Sequence, residues 1–381
     1  MATQIIKRAL KLFIIATIVS CVTLPAFAQE KQYVRVRVFD NSKSMRLRIN
    51  GRYQIEDLSG TKVLYQGYNL NSTITGYSEG IMVGPINLKA DKIVIKAMNL
   101  QPLNINNRMF NGNVQIIKSK EGKFTTVNLV ELEDYIKGIM YHEASHYWPQ
   151  DALKAQAIVC RSFAISQMLA NVKKDYDVTS DVYSQVYGGS DSERYRTNKV
   201  VDDTAGLILW YNGNVLPAYF HATCAGHTED AALLWNVELE PLKGVVCGFC
   251  KDSPHFNWHS VLALSDIEER LSAAGYKTGA IKDIVIDGKD TSGRIISLKI
   301  INETKETQIS AKDFRNIIGP NEIKSTNFTF ALGKHDVTFD GLGWGHGVGL
   351  CQWGAYFMAK LGRNYKEILQ YYYPHADVKA F

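Results

Sequence analysis

The stretch that most restricts the fold is PQDALKAQAIVCRSFAISQMLANV, residues 149–172. Pro149 suits the first turn of a helix, and the run behind it is rich in Ala and apolar on most sides. A helix with so little polar face should be buried rather than laid on a surface. Lys154 and Arg161, seven residues apart, share one of its faces. A second helical pattern comes just before it. Leu132, Tyr135, Ile136, Ile139 and Met140 fall at helical spacing, with Asn128 as a candidate cap and Glu131 three residues on to close a capping box.

The chain on either side has a different period. Residues 32–125 alternate or run β-branched, as in YVRVRVF and KIVIKAM, and turn-like pieces such as NGRY and NNRMFNGN separate the strands. After about 176 the chain turns irregular and then β-rich, with one intervening helix (SDIEERLSAAGY) and a last one (KEILQYYY) ending at Pro374. From 341 to 349 every second residue is Gly, which predicts tight backbone around Trp344 and His346, with Trp353 just beyond. The expected class is α+β: a β-rich N-terminal region over 29–125, then a mixed α/β core over 126–381.

Residues 1–28 read as an export signal. Lys7, Arg8 and Lys11 precede the apolar run Leu12–Leu24, and Ala26-Phe27-Ala28 has the form of a cleavage site; an N-terminal membrane anchor is the alternative. That segment holds three of the 43 Lys and Arg and none of the 38 Asp and Glu, so the remainder carries 40 against 38, or +2. No basic block stands out, so nucleic acid is not an expected partner. Of the six cysteines, five lie beyond the signal, namely Cys160, Cys224, Cys247, Cys250 and Cys351. An odd number excludes a fully paired framework and leaves a metal site, one or two disulfides, or buried thiols.

His142-Glu143-Ala144-Ser145-His146 has the H-E-x-x-H spacing of a zinc metalloprotease. That chemistry needs both His on one helix face and a third protein ligand. Pro149 follows too soon for the helix to continue, and no further ligand motif comes after it. A Glu at a helix end beside Tyr147 and Trp148 has another use. Partly dry surroundings raise its pKa, and a carboxyl still protonated near neutral pH is a general acid.

The stretch EASHYWPQDALKAQAIVCRSFAI resembles the signature of the SpoIID/LytB family. Glu143, Trp148, Pro149, Ala152, Leu153, Lys154, Ala155, Gln156, Ala157 and Arg161 fall on matching positions without a gap. DVYSQVYGG is similar to the family's Q-x-Y-x-G segment through Gln185, Tyr187 and Gly189. DDTAGLILWYNGNVLPAYFHATCAGHT and GWGHGVGLCQWGAYFMAKLGRNYKEILQYYYP resemble two further blocks. Ala144 and Ser145 depart from the usual Met-Pro, and Ala225 stands where the family often has Gly.

The resemblance implies a grooved catalytic core with Glu143 as the catalytic acid. It implies that the H-E-x-x-H spacing is coincidental. Sporulation members of the family are peptidoglycan lytic transglycosylases, which leave a 1,6-anhydromuramic end; others enhance a partner amidase without catalysis. By the same matching Lys154 and Arg161 bind a lactyl carboxylate or orient the Glu loop, unless they form a salt-bridged face. Gln185 and Tyr187 are expected sugar contacts, and His346, Gln352 and Trp353 are expected to approach ligand closely. Cys224, Cys247 and Cys250 with His221 or His227 make a zinc set, some members of the family carrying such a metal. A disulfide between Cys224 and one of the C-x-x-C pair is the competitor. The expected partners are glycan strands of the wall and a cell-wall amidase or other hydrolase.

Overall fold

The computed structural model describes residues 31–99 and 101–381; the expected export signal lies outside them. Alternation decides the first sheet. In Ser44–Asp57, Met45, Leu47 and Ile49 are buried while Arg46, Arg48 and Asn50 are exposed, the period-2 pattern of a strand with one face on a core. Eleven strands join in this sheet. Its order along the main path is Val178–Thr179, Tyr33–Ser42, Phe124–Glu131, Asn113–Lys118, Lys92–Ala97, Ser44–Asp57, Val63–Tyr77, Gly80–Val83 and Ile86–Leu88.

Two pairings of the first strand place the helices. Tyr33–Ser42 runs antiparallel to Phe124–Glu131, with Val36 opposite Asn128, and parallel to Val178–Thr179. Helix α1 (Leu132–Glu143) and helix α2 (Gln150–Ala170) are therefore held between two neighbours of one strand. Phe124–Glu131 crosses the boundary expected at 125/126. Asn128 is not a helix cap but a buried strand residue: its Nδ2 donates to the carbonyls of Asn111 and Asn113, both at 2.9 Å. The helix begins at Leu132, whose N–H donates to the Gln32 carbonyl at 2.8 Å.

α2 is buried because two cores share it. Leu153, Ala157, Cys160, Ala164 and Ile165 pack into the core of the large sheet and α1. Ala155, Ile158 and Val159 pack into a second core with Leu209, Leu350, Cys351, Ile368 and Tyr372. Small Ala side chains let neighbours approach on both sides, which explains the composition that stood out in the sequence. A third core, around Leu271, Leu298, Phe314 and Phe339, lies under the strands and helices of 257–342; the sequence did not set this region apart. Among the described residues no helix is long and apolar enough to cross a membrane.

The Gly-rich loop presses on the segment before the first core cysteine. A Cβ on Gly349 would stand 2.0 Å from the Tyr219 carbonyl oxygen, and one on Gly347 would stand 2.7 Å from the Arg294 guanidinium carbon. Both have positive φ, 73° and 91°, so Gly is required twice over. Ala225 holds φ 62° without being Gly, at the position where the sequence departs from its resemblance. That conformation costs an L-residue about 1–2 kcal/mol. Ala225→Gly should therefore stabilise the protein by roughly 0.5–1 kcal/mol after allowing for the freer unfolded chain, measured by urea unfolding.

Candidate active site around Glu143

Glu143 is the last residue of α1. Ala144 leaves the helix in an extended conformation (φ −146°) while its N–H still donates to Met140, and Ser145–Trp148 turns the chain into Pro149 and α2. His146 therefore lies outside the helix, and the H-E-x-x-H pair does not face one way. His142 Nε2 sits 2.7 Å from Ser192 Oγ, and the His146 ring stacks on Tyr147 at 4.0 Å. Among the described residues the grouping suited to a metal is elsewhere, at four cysteines.

The Glu143 carboxyl is fixed by backbone. Val186 N–H donates to its Oε1 at 2.9 Å. Burial pushes its pKa up from 4.5 to about 7, against the pull of that N–H, which favours the carboxylate. Neither influence is a second carboxylate. From the other side Gln352 Nε2 donates to the Glu143 carbonyl at 2.9 Å and reaches Gln156 Oε1 at 3.4 Å.

Gln185 and Tyr187 are not sugar contacts in this structure. Both are 1 % exposed, and they anchor the loop that carries Val186 between them. Tyr135 Oη donates to Gln185 Oε1 at 3.0 Å, and Gln185 Nε2 donates to the Cys160 carbonyl at 3.4 Å. Tyr187 Oη donates to Asn128 Oδ1 at 2.8 Å. Its ring lies where a Cβ on Gly138 would come, 2.5 Å away, so a Gly inside α1 makes room for it.

Arg161 is likewise not available to a ligand. Its side chain is fully buried and pairs with Glu133 through two bonds of 2.8 Å, Nε to Oε1 and Nη2 to Oε2; Nη1 donates to the Leu207 carbonyl at 3.0 Å. It joins α1, α2 and the strand Leu207–Tyr211. Lys154 lies 3.8 Å from Asp203 on a partly exposed face, the salt-bridged alternative for that pair. His346 accepts the Val348 N–H at its Nδ1, 3.1 Å, and packs edge-on to Trp235 and His221 at 5.0 and 5.7 Å. Trp353 is half-buried beside Trp148, 5.1 Å between ring centres. Of the matched residues, Glu143, Gln156, Gln185, Gln352 and the Trp148–Trp353 pair come together. Sequence reasoning missed the Val186 N–H, which is the variable position of Q-x-Y-x-G and acts through its backbone alone.

Cys224, Cys247 and Cys250 do meet, but the fourth sulfur is Cys351 rather than a histidine nitrogen. All four Sγ atoms lie within 4.8 Å of one another and are buried; Cys224 and Cys250 Sγ are 3.5 Å apart. All are free thiols, not disulfides. His221 is aligned with Cys351 across a two-residue parallel bridge, and its Nδ1 faces the Val348 carbonyl at 3.1 Å. His227 Nδ1 is 2.6 Å from the Thr228 carbonyl. The donor set fits zinc: sulfur ligands at about 2.3 Å from a tetrahedral ion stand roughly 3.8 Å apart. Cys351 Sγ also receives the N–H groups of Cys224 and Gly354 at 3.3 and 3.4 Å, and it caps the helix Gln352–Lys360. The Cys224 donor and the capping Gly354 donor favour a thiolate, while burial first, and then the neighbouring sulfurs, push the metal-free thiol's pKa up. A zinc here would be structural, since four protein ligands close its coordination.

Residues 120–211 match the family model described as stage II sporulation protein (SpoIID), and residues 242–349 match a domain of unknown function (DUF8618). An uncharacterized protein of Brachyspira hyodysenteriae is 31% identical over 93% of this chain and 94% of its own length. Stage II sporulation protein D of Bacillus subtilis is 29% identical over 66% of this chain and 76% of that protein. The amidase enhancer of the same organism is 26% identical over 65% of this chain and 40% of its own length.

Proposed function

The chain belongs to the SpoIID family, and from that membership we propose that it is a peptidoglycan lytic transglycosylase with Glu143 as its single acid and base. The observation that carries this reading is the carboxyl raised to about 7 by burial, with no second carboxylate at work on it. Protonated Glu143 gives its proton to the oxygen of the β-1,4 bond after N-acetylmuramic acid, and the bond to C1 breaks. The carboxylate then takes the proton of the muramic C6 hydroxyl as that oxygen closes on C1. The proton lost in the first step is regained in the second, and no water is consumed. Val186 N–H stabilises the carboxylate between the two steps, and Gln352 holds the backbone that carries it. The export signal expected over 1–28 would bring the enzyme to its wall substrate.

The free enzyme must start protonated, so kcat/KM should be flat below the Glu143 pKa. It should fall about tenfold per pH unit above roughly 7, as release of soluble glycan from purified peptidoglycan. A profile that rises through pH 7 would assign the carboxylate, not the acid, as the starting form.

The amidase-enhancer relative supports a second reading, a wall-binding protein that accelerates a partner amidase. The two separate when the protein is incubated alone with wall glycan: the transglycosylase releases fragments, and the enhancer releases none until an amidase is added.

A further inference from the structure

The region 242–349 has no role in the chemistry above, yet it brings three side chains, His255, Lys324 and Trp344, to the edge of the site. Trp353 follows Gln352, which holds the Glu143 carbonyl. Its ring is 5.1 Å from Trp148, itself 5.2 Å from Tyr356. The His255 ring lies 6.2 Å from that of Trp353; His255 in turn meets Trp344 edge-on at 4.7 Å, and Lys324 Nζ lies 4.8 Å from the centre of the Trp344 ring. Every one of these residues is half-buried, with part of its surface in solvent. Each step is comparable with the length of one sugar ring.

Lys324 is the unusual member. Among the described residues no carboxylate pairs with it, although it is half-buried. Its backbone is held: the carbonyl accepts from Gly345 N–H and from Arg315 Nε. The ammonium is close enough to His255 to depress the pKa of that imidazole, after the larger effect of burial. A fixed cation on an indole face, without an internal anion, is poised for an external one.

We infer that Trp148, Trp353, His255 and Trp344 form a track for a glycan strand and that Lys324 at its far end binds a carboxylate carried by a sugar several rings from the scissile bond. This rests on the glycan reading of the site. Aromatic faces take the apolar faces of sugar rings without regard to charge. Lys324 adds a preference for a strand bearing free carboxylates over a neutral one of equal length. The carboxylate is either that of the lactyl ether or that of a stem peptide.

The test uses the Glu143→Gln protein, which does not consume its ligand. Its binding is measured to three ligands: peptide-stripped muramyl glycan, peptide-bearing glycan, and neutral chito-oligosaccharide of the same ring number. It should bind one of the two anionic strands about tenfold tighter than the neutral one, with that advantage falling as salt is raised. Adding Lys324→Met should abolish the advantage and leave chito-oligosaccharide binding unchanged, and Lys324→Arg should retain it. Loss confined to stripped glycan identifies the lactyl carboxylate, and loss confined to the peptide-bearing strand identifies the peptide's. Equal affinity for anionic and neutral strands in the parent protein overturns the inference without recourse to any Lys324 variant, as does an advantage that survives Lys324→Met. Failure to bind any of the three ligands would instead overturn the glycan reading itself.

Discussion

Glu143→Gln should fold, bind glycan, and lose turnover by roughly 10²–10⁴, the usual worth of a general acid–base group. Gln keeps the shape, and its amide oxygen still accepts from Val186 N–H, but it has no proton to transfer in either step. The same substitution should stabilise the protein at alkaline pH. The Glu143 pKa in the folded chain, about 7, is above its ordinary value of 4.5. Its contribution is therefore fully present below about pH 4.5 and is lost as pH rises through 7, where a poorly solvated carboxylate must be held. Glu143→Gln should match the unsubstituted protein at pH 4 and exceed it at pH 8 by on the order of 3 kcal/mol, read from denaturant unfolding at both values. A variant that loses activity and also loses stability at pH 8 would show a structural role rather than an acid.

Replacing Cys247 and Cys250 with Ser should remove bound zinc and with it several kcal/mol of stability. Sites of this kind bind with apparent energies of roughly 10–16 kcal/mol in small peptides, and part of that is folding energy in any protein that contains one. Protein purified without a metal-affinity tag should carry close to one zinc per chain by elemental analysis, and the double variant none. Replacing His142 and His146 together should leave the content unchanged, because those residues are occupied with Ser192 and Tyr147. Activity should fall with the metal as well, since Cys351 directly precedes the Gln352 that holds Glu143. A Cys224 disulfide in thiol titration, with no metal bound, would contradict the assignment.

What could be seen in the sequence was set by local pattern. α2 was legible because a helix shared by two cores must be apolar on most sides, and Glu143 because it stands at a fixed distance before that helix. Asn128 was not, because capping a helix and bridging two strand carbonyls use the same side-chain amide. Only the pairing with Tyr33–Ser42, far away in the chain, decides between them. Arg161 could be read either as a ligand-binding cation or as part of a salt-bridged face, because Glu133, 28 residues earlier, gave no sign of being its partner. Cys351 was not legible as the fourth sulfur of the cluster, because a sulfur 101 positions beyond Cys250 carries no spacing signal. The odd cysteine count was the available hint, since it left sulfurs that pairing could not use. Gln185 and Tyr187 were legible as important but not as what they are, because anchoring a loop and touching a sugar draw on the same residue types.

The central claim is that one carboxyl serves both proton steps and that the sugar's own hydroxyl is the nucleophile. Mass spectrometry of the fragments released from purified glycan strands tests it directly. The account predicts 1,6-anhydromuramic ends, lighter by one water than hydrolysis products and not reducible by borohydride. Fragments ending in reducing muramic acid would contradict it, because water would then be the nucleophile and Glu143 would need a partner base, whereas among the described residues no second carboxylate acts on it.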